Sequence, residues 1–296
     1  MTSPELLARR ALADHTAASH AAAERVIAHY STSFGAASRL LGHPVRQRVR
    51  SLYALVRVAD EVVDGAAAGA GLGVDAVADA LDEHEHRTLR ALGCGYSTDP
   101  VVHAFADAAR ATGIGADLVR PFYASMRADL HVAAHDDASL AQYVHGSAEV
   151  VGLMCVRVFT TDGAPAPVVP APHLEEGARR LGAAFQQVNF LRDLAEDTDG
   201  RGRTYLPGAG AVFTDADRDA AVARVRADLA AAEAVIDGLP GSSRAAVRAC
   251  HDLYAALTDR IAATPAAELR RRRVRVPDAV KAGIVARAAL RERVRR

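Results

Sequence analysis

Tryptophan is absent from this chain, and aromatic residues as a whole make up only 5% of it, so its core cannot rest on large planar side chains. Strict apolar–polar alternation, the mark of a half-buried strand, is missing as well. Half of the residues are nonetheless apolar. Alanine is abundant, and Ala, Leu, Arg and Glu are the strongest helix formers. The expected fold class is therefore all-α, with helices packed through small and branched aliphatic side chains. Charge of one sign is lacking too: 36 basic residues balance 36 acidic ones, which leaves no global field to attract a nucleic acid. The few cysteines, Cys94, Cys155 and Cys250, show no C-x-x-C or metal-ligand spacing. They are expected to be small buried hydrophobes in a reducing cytosol. Long apolar runs are missing: Met1–His20 is interrupted by Arg9, Arg10 and Asp14, which argues against an export signal. Val150–Phe159 is short and contains Arg157, so it falls below the length of a bilayer span. A cytoplasmic protein is expected, with any contact at the inner face of the membrane peripheral.

What is present is helical periodicity from end to end. It predicts helices over Leu6–Tyr30, Pro44–Asp64, Val74–Leu92, Pro100–Ala111, Ala116–Leu130, Ser139–Thr161, His173–Asp197, Asp215–Asp237, Ser242–Ala263 and Pro277–Arg293. The breaks at Gly65–Gly73, Asp162–Pro172, Thr198–Gly210 and Gly238–Gly241 carry Gly and Pro turn chemistry. None resembles a domain linker, so a single domain over residues 1–296 is expected, its core running from about 24 to 292.

Two stretches carry chemistry. Asp60 and Asp64 lie four residues apart, as do Asp193 and Asp197. On a helix that spacing is roughly 6 Å of rise and a little over one turn, which sets each pair of carboxylates side by side. A single such pair is usually a solvated helix face. Both pairs, however, sit among apolar residues: Leu52, Leu55, Val56 and Val58 precede the first, and Phe185, Val188, Phe190 and Leu191 surround the second. Carboxylates in such surroundings are costly unless paired or metal-bound. Two facing pairs would suit a hard divalent cation shared with a phosphate, and Arg57 and Arg192 are placed to neutralise charge or grip that phosphate.

Other segments read less sharply. Tyr30-Ser31-Thr32-Ser33-Phe34-Gly35 is a helix-end sequence whose hydroxyls could also donate to phosphate. The small residues Gly146, Ser147, Ala148 and Gly152 inside a helical stretch imply a close approach to the backbone, by a long apolar ligand or by another helix. Gly200–Pro207 could close over phosphates or be a plain surface loop. Arg270–Arg273 with Arg275 reads first as a solvated basic patch, with contact to a diphosphate or an anionic membrane surface as the other reading.

In this order, the motifs resemble the squalene/phytoene synthase family from about Tyr30 to Lys281. Its first aspartate motif, with a Tyr-Ala-x-x-Arg lead, matches Tyr53, Ala54, Arg57, Asp60 and Asp64. Its Q-x-x-N-x-x-R-D-x-x-x-D motif matches Gln186, Asn189, Arg192, Asp193 and Asp197. The family's mid-chain Tyr falls on Tyr143, its R-x-Y-x-P loop on Arg203, Tyr205 and Pro207, and its late Tyr and Arg on Tyr254 and Arg273. The chain departs from the pattern at Thr32, where the family carries a cation, and at Glu149, which replaces a Gly.

The resemblance implies an isoprenoid-synthase-type helical bundle around a central apolar cavity. It also implies head-to-head joining of two prenyl diphosphates, with geranylgeranyl diphosphate giving phytoene through a cyclopropyl diphosphate. The rivals are a squalene, dehydrosqualene or hydroxysqualene synthase, a prenyltransferase for another acceptor, and a family-like assembly factor without activity. The implied catalytic residues are Asp60, Asp64, Asp193, Asp197, Arg57 and Tyr143. Ser33, Phe34, Tyr53, Gln186, Asn189, Arg192, Arg203, Tyr254 and Arg273 would bind substrate. Magnesium, or manganese in its place, would be held by Asp60, Asp64, Asn189, Asp193 and Asp197. No glycine fingerprint opens a strand–helix unit, and the phytoene-like Tyr30 implies no nicotinamide cofactor. No distinct general base is identified, and the released diphosphate is a candidate proton acceptor. With Glu149 facing an apolar space, the carboxylate is expected to be paired, protonated or turned away, with an interhelical partner or the polar rim favoured over its own helix.

Overall fold

The computed structural model describes residues 3–31, 33–200, 202–206 and 213–295. Among these the chain forms α1 (Ser3–Tyr30), α2 (Ser33–Ser38), α3 (His43–Asp64), α4 (Ala66–Gly69), α5 (Val74–Cys94), α6 (Pro100–Thr112) and α7 (Ala116–His131). It continues through α8 (Asp137–Val144), α9 (Val150–Thr160), α10 (Pro172–Arg192), α11 (Asp215–Ile236), α12 (Gly241–Ala262), α13 (Ala266–Leu269) and α14 (Asp278–Arg295). Every helix expected from periodicity is found. The helix ends follow local chemistry. Asp99 caps α6 by accepting from Val101 N at 2.8 Å and Val102 N at 3.1 Å, with Pro100 starting the first turn. Thr214 and Asp217 form a reciprocal capping box on α11. Gly65, at φ 142°, ends α3 directly after Asp64 in a conformation that side chains other than glycine rarely adopt.

Three expectations need correction. The Gly65–Gly73 segment is not a plain turn, because it holds the short helix α4. The helix expected over Ser139–Thr161 is interrupted by a π-helical turn at His145–Glu149. The one expected over His173–Asp197 stops at Arg192, and a second π-helical turn covers Glu196–Gly200.

The core falls into two main apolar clusters. One gathers Leu52, Leu55, Ala59 and Val63 of α3 with Phe105, Phe122, Tyr123 and Met154. The other gathers Val188, Phe190, Leu191 and Leu194 with Val225, Leu229, Ile261 and Tyr205. The two aspartate segments therefore ride on different clusters. Helix α9 packs against both α3 and α10, and α10 also packs on α11 and α12.

The small-residue segment is explained by this packing. A Cβ on Gly146 would lie 2.2 Å from Pro121 O, one on Gly152 2.3 Å from Ala178 O, and one on Gly182 2.5 Å from Ala148 O. The backbones of the π-turn, α7, α9 and α10 approach so closely that no side chain fits between them, and helix contact rather than a ligand is the reason for these glycines.

Cys94 corrects the expectation for the cysteines, since it is exposed and its thiol donates to Tyr96 O at 3.3 Å. Cys155 and Cys250 behave as expected in one respect: burial pushes both thiols up to about 12. Both residues still keep accessible surface, as do Val56, Val151 and Val247 packed at the edge of the first cluster.

Candidate active site

Asp60 and Asp64 occupy the last turns of α3, and Asp193 is the residue that closes α10. Both pairs thus sit where unpaired helix carbonyls concentrate partial negative charge, so carboxylates there are unfavourable without a cation nearby. The cations present are arginines. Arg57 donates through Nη1 to Asp60 and through Nη2 to Glu61, and its guanidinium lies 4.7 Å from the centroid of the Tyr30 ring. Burial, then the neighbouring Asp64 carboxylate, push the Asp60 carboxyl up to about 7 despite Arg57. Its side chain keeps a third of its surface.

Asp193 is clamped from two sides. Arg192 donates to its two oxygens at 2.9 and 2.5 Å, and Arg273 Nε lies 2.8 Å from Oδ1. Arg273 thereby joins the second pair across 80 residues of chain. Asp197 N donates to Asp193 O at 2.9 Å, so the two aspartates remain one turn apart although the α-helix has ended between them. The Asp197 side chain is buried.

Arg203 joins the halves. Its backbone N donates to Asp197 O at 2.8 Å. Its side chain crosses to α3, where Nη1 donates to Asp64 Oδ1 at 2.8 Å and Nη2 to Val63 O at 3.1 Å. The two aspartate segments therefore lie within the span of one arginine residue.

Beside Arg203 stands a group that sequence reasoning missed. Asp129, near the end of α7, accepts from Tyr205 Oη at 2.7 Å and from Tyr143 Oη at 2.9 Å, and its Oδ1 lies 4.0 Å from Arg203 Nη1. Burial outweighs these partners and pushes its carboxyl up to about 6. A signal was available: Asp129 falls on the stripe of Phe122 and Met126, so a carboxylate was set on the buried face of α7. Glu61 was also overlooked, although it follows Asp60 directly and shares Arg57.

The residues assigned to the substrate gather in part. Phe185 stacks on Tyr254 at 3.8 Å between ring centroids, and Phe34 lies 6.0 Å from Phe185, 6.3 Å from Tyr254 and 6.4 Å from Tyr53. Tyr254 Oη reaches Asn189 Oδ1 at a long 3.5 Å. Burial pushes the Tyr254 phenol up to about 12 and also raises that of Tyr53. Gln186 is half-buried on α10, between this cluster and Asn189 in sequence. The Ser33 side chain, Thr32 and Pro207 lie outside the described residues.

Glu149 lies away from this group. It pairs with His145 Nδ1 at 2.9 Å, one turn earlier in the π-turn, so the partner is local and not the interhelical one favoured from sequence. It lines a groove of about 730 Å³ on the other side of α10, together with charged residues such as Arg179, Arg180 and Asp228 and apolar ones such as Val144 and Phe190. The expectation of a paired carboxylate turned from the apolar interior agrees with this geometry.

Among the described residues, no three His, Cys, Asp or Glu side chains are gathered closely enough to hold a metal as they stand. The donor set nonetheless fits a hard cation: it offers carboxylate oxygens at two helix C-termini, and the crowding of Asp60 by Asp64 is relieved by added positive charge. The arginines fill that electrostatic role here. Among the described residues, no helix is long and apolar enough to cross a membrane.

Comparison with known proteins agrees with the residue pattern. The sequence model of the squalene/phytoene synthase family matches residues 27–211. The 15-cis-phytoene synthase of Synechocystis is 31% identical over 188 residues, which cover 62% of this chain and 54% of that protein. The 4,4'-diapophytoene synthase of Staphylococcus haemolyticus is 27% identical over 186 residues, covering 62% and 61%. The chain thus spans between about half and three-fifths of the length of these curated relatives. In fold it is similar to a dehydrosqualene synthase crystallised with a ligand, at a TM-score of 0.78 and 20% identity over 95% of this chain and 99% of that one.

Proposed function

The chain belongs to the squalene/phytoene synthase family, and from that premise we propose that it joins two prenyl diphosphates head to head, with geranylgeranyl diphosphate as substrate and phytoene as product. The observation that carries this reading is the pair of acidic helix ends bridged by Arg203, ringed by Arg57, Arg192 and Arg273 and set beside the aromatic cluster of Phe34, Tyr53, Phe185 and Tyr254. It supports a substrate with a polyanionic head and an apolar tail.

In this reading Asp60, Asp64, Asn189, Asp193 and Asp197 hold magnesium. When bound, the metal supplies Lewis-acid stabilisation of a departing diphosphate. The arginines, freed from the carboxylates, turn their donors to diphosphate oxygens and collect the charge that develops there. Ionisation of one substrate leaves an allylic cation, and attack by the double bond of the second gives a cyclopropylcarbinyl diphosphate and releases a proton. Loss of the second diphosphate, rearrangement and loss of a second proton give the hydrocarbon. The aromatic faces of Phe34, Phe185 and Tyr254, with apolar side chains such as Val56, Val151 and Val247, shield these cations from water. The diphosphate already released accepts the final proton.

Incubation with C15 or C20 prenyl diphosphate and Mg²⁺, without nicotinamide, followed by mass analysis of the extracted hydrocarbons, tests the proposal. A C40 triene-cored hydrocarbon from the C20 substrate is expected. A C30 product from the C15 substrate alone, or a requirement for NADPH, assigns the chain to the squalene or diapophytoene side of the family, and no diphosphate release from either substrate refutes the enzymatic reading.

A further inference from the structure

The segment at residues 202–206 is held as a strap across the site. Thr204 N donates to Ala133 O at 2.7 Å and His135 N to Thr204 O at 3.3 Å, a short parallel bridge between the strap and the chain leaving α7. In an extended segment, successive side chains point to opposite sides. Arg203 and Tyr205 accordingly face the same way, and both meet Asp129. The Tyr205 ring is packed between Phe190, stacked at 4.4 Å, and His135, stacked at 5.7 Å, with Tyr143 at 5.1 Å. Asp129 is thus the single acceptor on which Tyr143, Tyr205 and Arg203 converge, and its side chain is only 5% exposed.

A buried carboxylate is retained at a cost to stability unless its partners compensate it fully. Here the partners belong to two separate parts of the chain: α8 supplies Tyr143, and the strap supplies Tyr205 and Arg203, whose guanidinium also holds Asp64. We infer that Asp129 is a positioning residue of the site, the anchor that fastens the strap and so fixes Arg203 between the two aspartate segments. The inference deepens the proposed reaction and rests on it for the role of Arg203, while the fastening itself is a property of the protein without substrate.

The two parts are tested separately. Amide hydrogen exchange in the full-length, metal-free protein reads the fastening. Asp129→Ala is expected to speed exchange over residues 202–206 and 133–135 about tenfold or more while leaving α6 as protected as before. Asp129→Asn restores most of that protection, because the two phenols can still hydrogen-bond to an amide. It does not restore turnover, because Arg203 has lost its second counter-charge. With prenyl diphosphate and Mg²⁺, Asp129→Asn then lowers kcat about a hundredfold, the scale of a misplaced reacting group, and moves KM by less than about threefold. Tyr205→Phe, which removes one strap donor and no charge, loosens the same residues should Asp129→Ala fail to fold. Unchanged strap exchange in both Asp129→Ala and Tyr205→Phe overturns the inference. Loss of protection spread equally through α6 does so too, since that marks a general structural role. If the wild-type protein has no turnover, the proposed reaction fails and the exchange result still decides whether Asp129 fastens the strap.

Discussion

The two acidic half-sites are built differently although their sequences look alike. Asp60 and Asp64 belong to an uninterrupted helix seated on one apolar cluster, and their geometry is that of the helix itself. Asp193 and Asp197 straddle the end of α10 on the other cluster, where the chain passes through a helix stop and a π-turn before becoming the strap. The first pair is crowded: Arg57 is shared between Asp60 and Glu61, and Asp64 takes its guanidinium from Arg203 on the strap. The second is clamped, with two arginines on Asp193 alone. A rigid, charge-strained half thus faces a half whose position depends on ion pairs and on the strap.

The sharpest separation of the two comes from neutralising one carboxylate in each. Asp60→Asn and Asp193→Asn should each lower turnover about a hundredfold or more, the scale lost when one charge-stabilising group is removed from an active site. Their effects on the metal-free protein should be opposite. Asp60→Asn relieves repulsion from Asp64, Asp129 and Glu61 and raises the melting temperature. Asp193→Asn leaves Arg192 and Arg273 without their shared partner and lowers it. Melting shifts of the same sign would remove the distinction between a strained and a clamped half.

Arg203→Gln addresses the link. Turnover is expected to fall about tenfold to a hundredfold, as positioning losses do. Its effect should combine non-additively with that of Asp64→Asn, because Arg203 and Asp64 are direct partners. Additive losses in the double variant would mean that the halves act independently.

How much of this difference was legible depends on which interactions are local. The main helices and the position of the first pair follow from periodicity, which an Ala- and Leu-rich chain displays with little ambiguity. The resemblance singled out Arg273 only as a residue for the diphosphate, and its ion pair with Asp193 is a contact that spacing alone could not reveal. The halt of α10 at Arg192 could not be read, because Leu194 and Ala195 continue a good helical pattern. Asp129 was missed because its partners stand 14 and 76 residues away. The partner of Glu149 was legible all the same, since His145 stands one helical turn earlier, at the i,i+4 spacing that brings side chains together.

The carboxyl of Asp129 adds a pH dependence at the seam between the halves. Its folded-state value of about 6 lies above the ordinary 3.8, so its favourable contribution to stability is fully present below about pH 4 and is lost as pH rises through 6. Between pH 5 and 8 the metal-free wild type should therefore lose on the order of 1 kcal/mol that Asp129→Asn does not lose. Thermal melting of both proteins across that range checks the sign. Parallel curves would show that Asp129 is charged throughout and that its three partners fully offset burial.

The second half also rests on the close contact between α10 and the π-turn. A Cβ at Gly182 would stand 2.5 Å from Ala148 O and 2.9 Å from Ala148 C, both of them backbone atoms that cannot swing aside. Gly182→Ala must therefore push α10 away from the π-turn, at about 1–3 kcal/mol, the usual range for an overpacked interior. Because Asp193 closes this helix while Asp60 and Asp64 stand on α3, the displacement should reach the clamped half and spare the strained one. Glu149→Gln on the same π-turn is the control: it alters a partly exposed pair with His145 in the outer groove, so its effect should stay within about 0.5 kcal/mol. The measurement is the melting temperature together with amide exchange over α3 and over residues 193–200. Faster exchange over 193–200 in Gly182→Ala, with α3 and the Glu149→Gln protein unchanged, is the expected result; equal loss in both half-sites would mean that the two apolar clusters yield as one body and that the rigid half owes its rigidity to α10 after all.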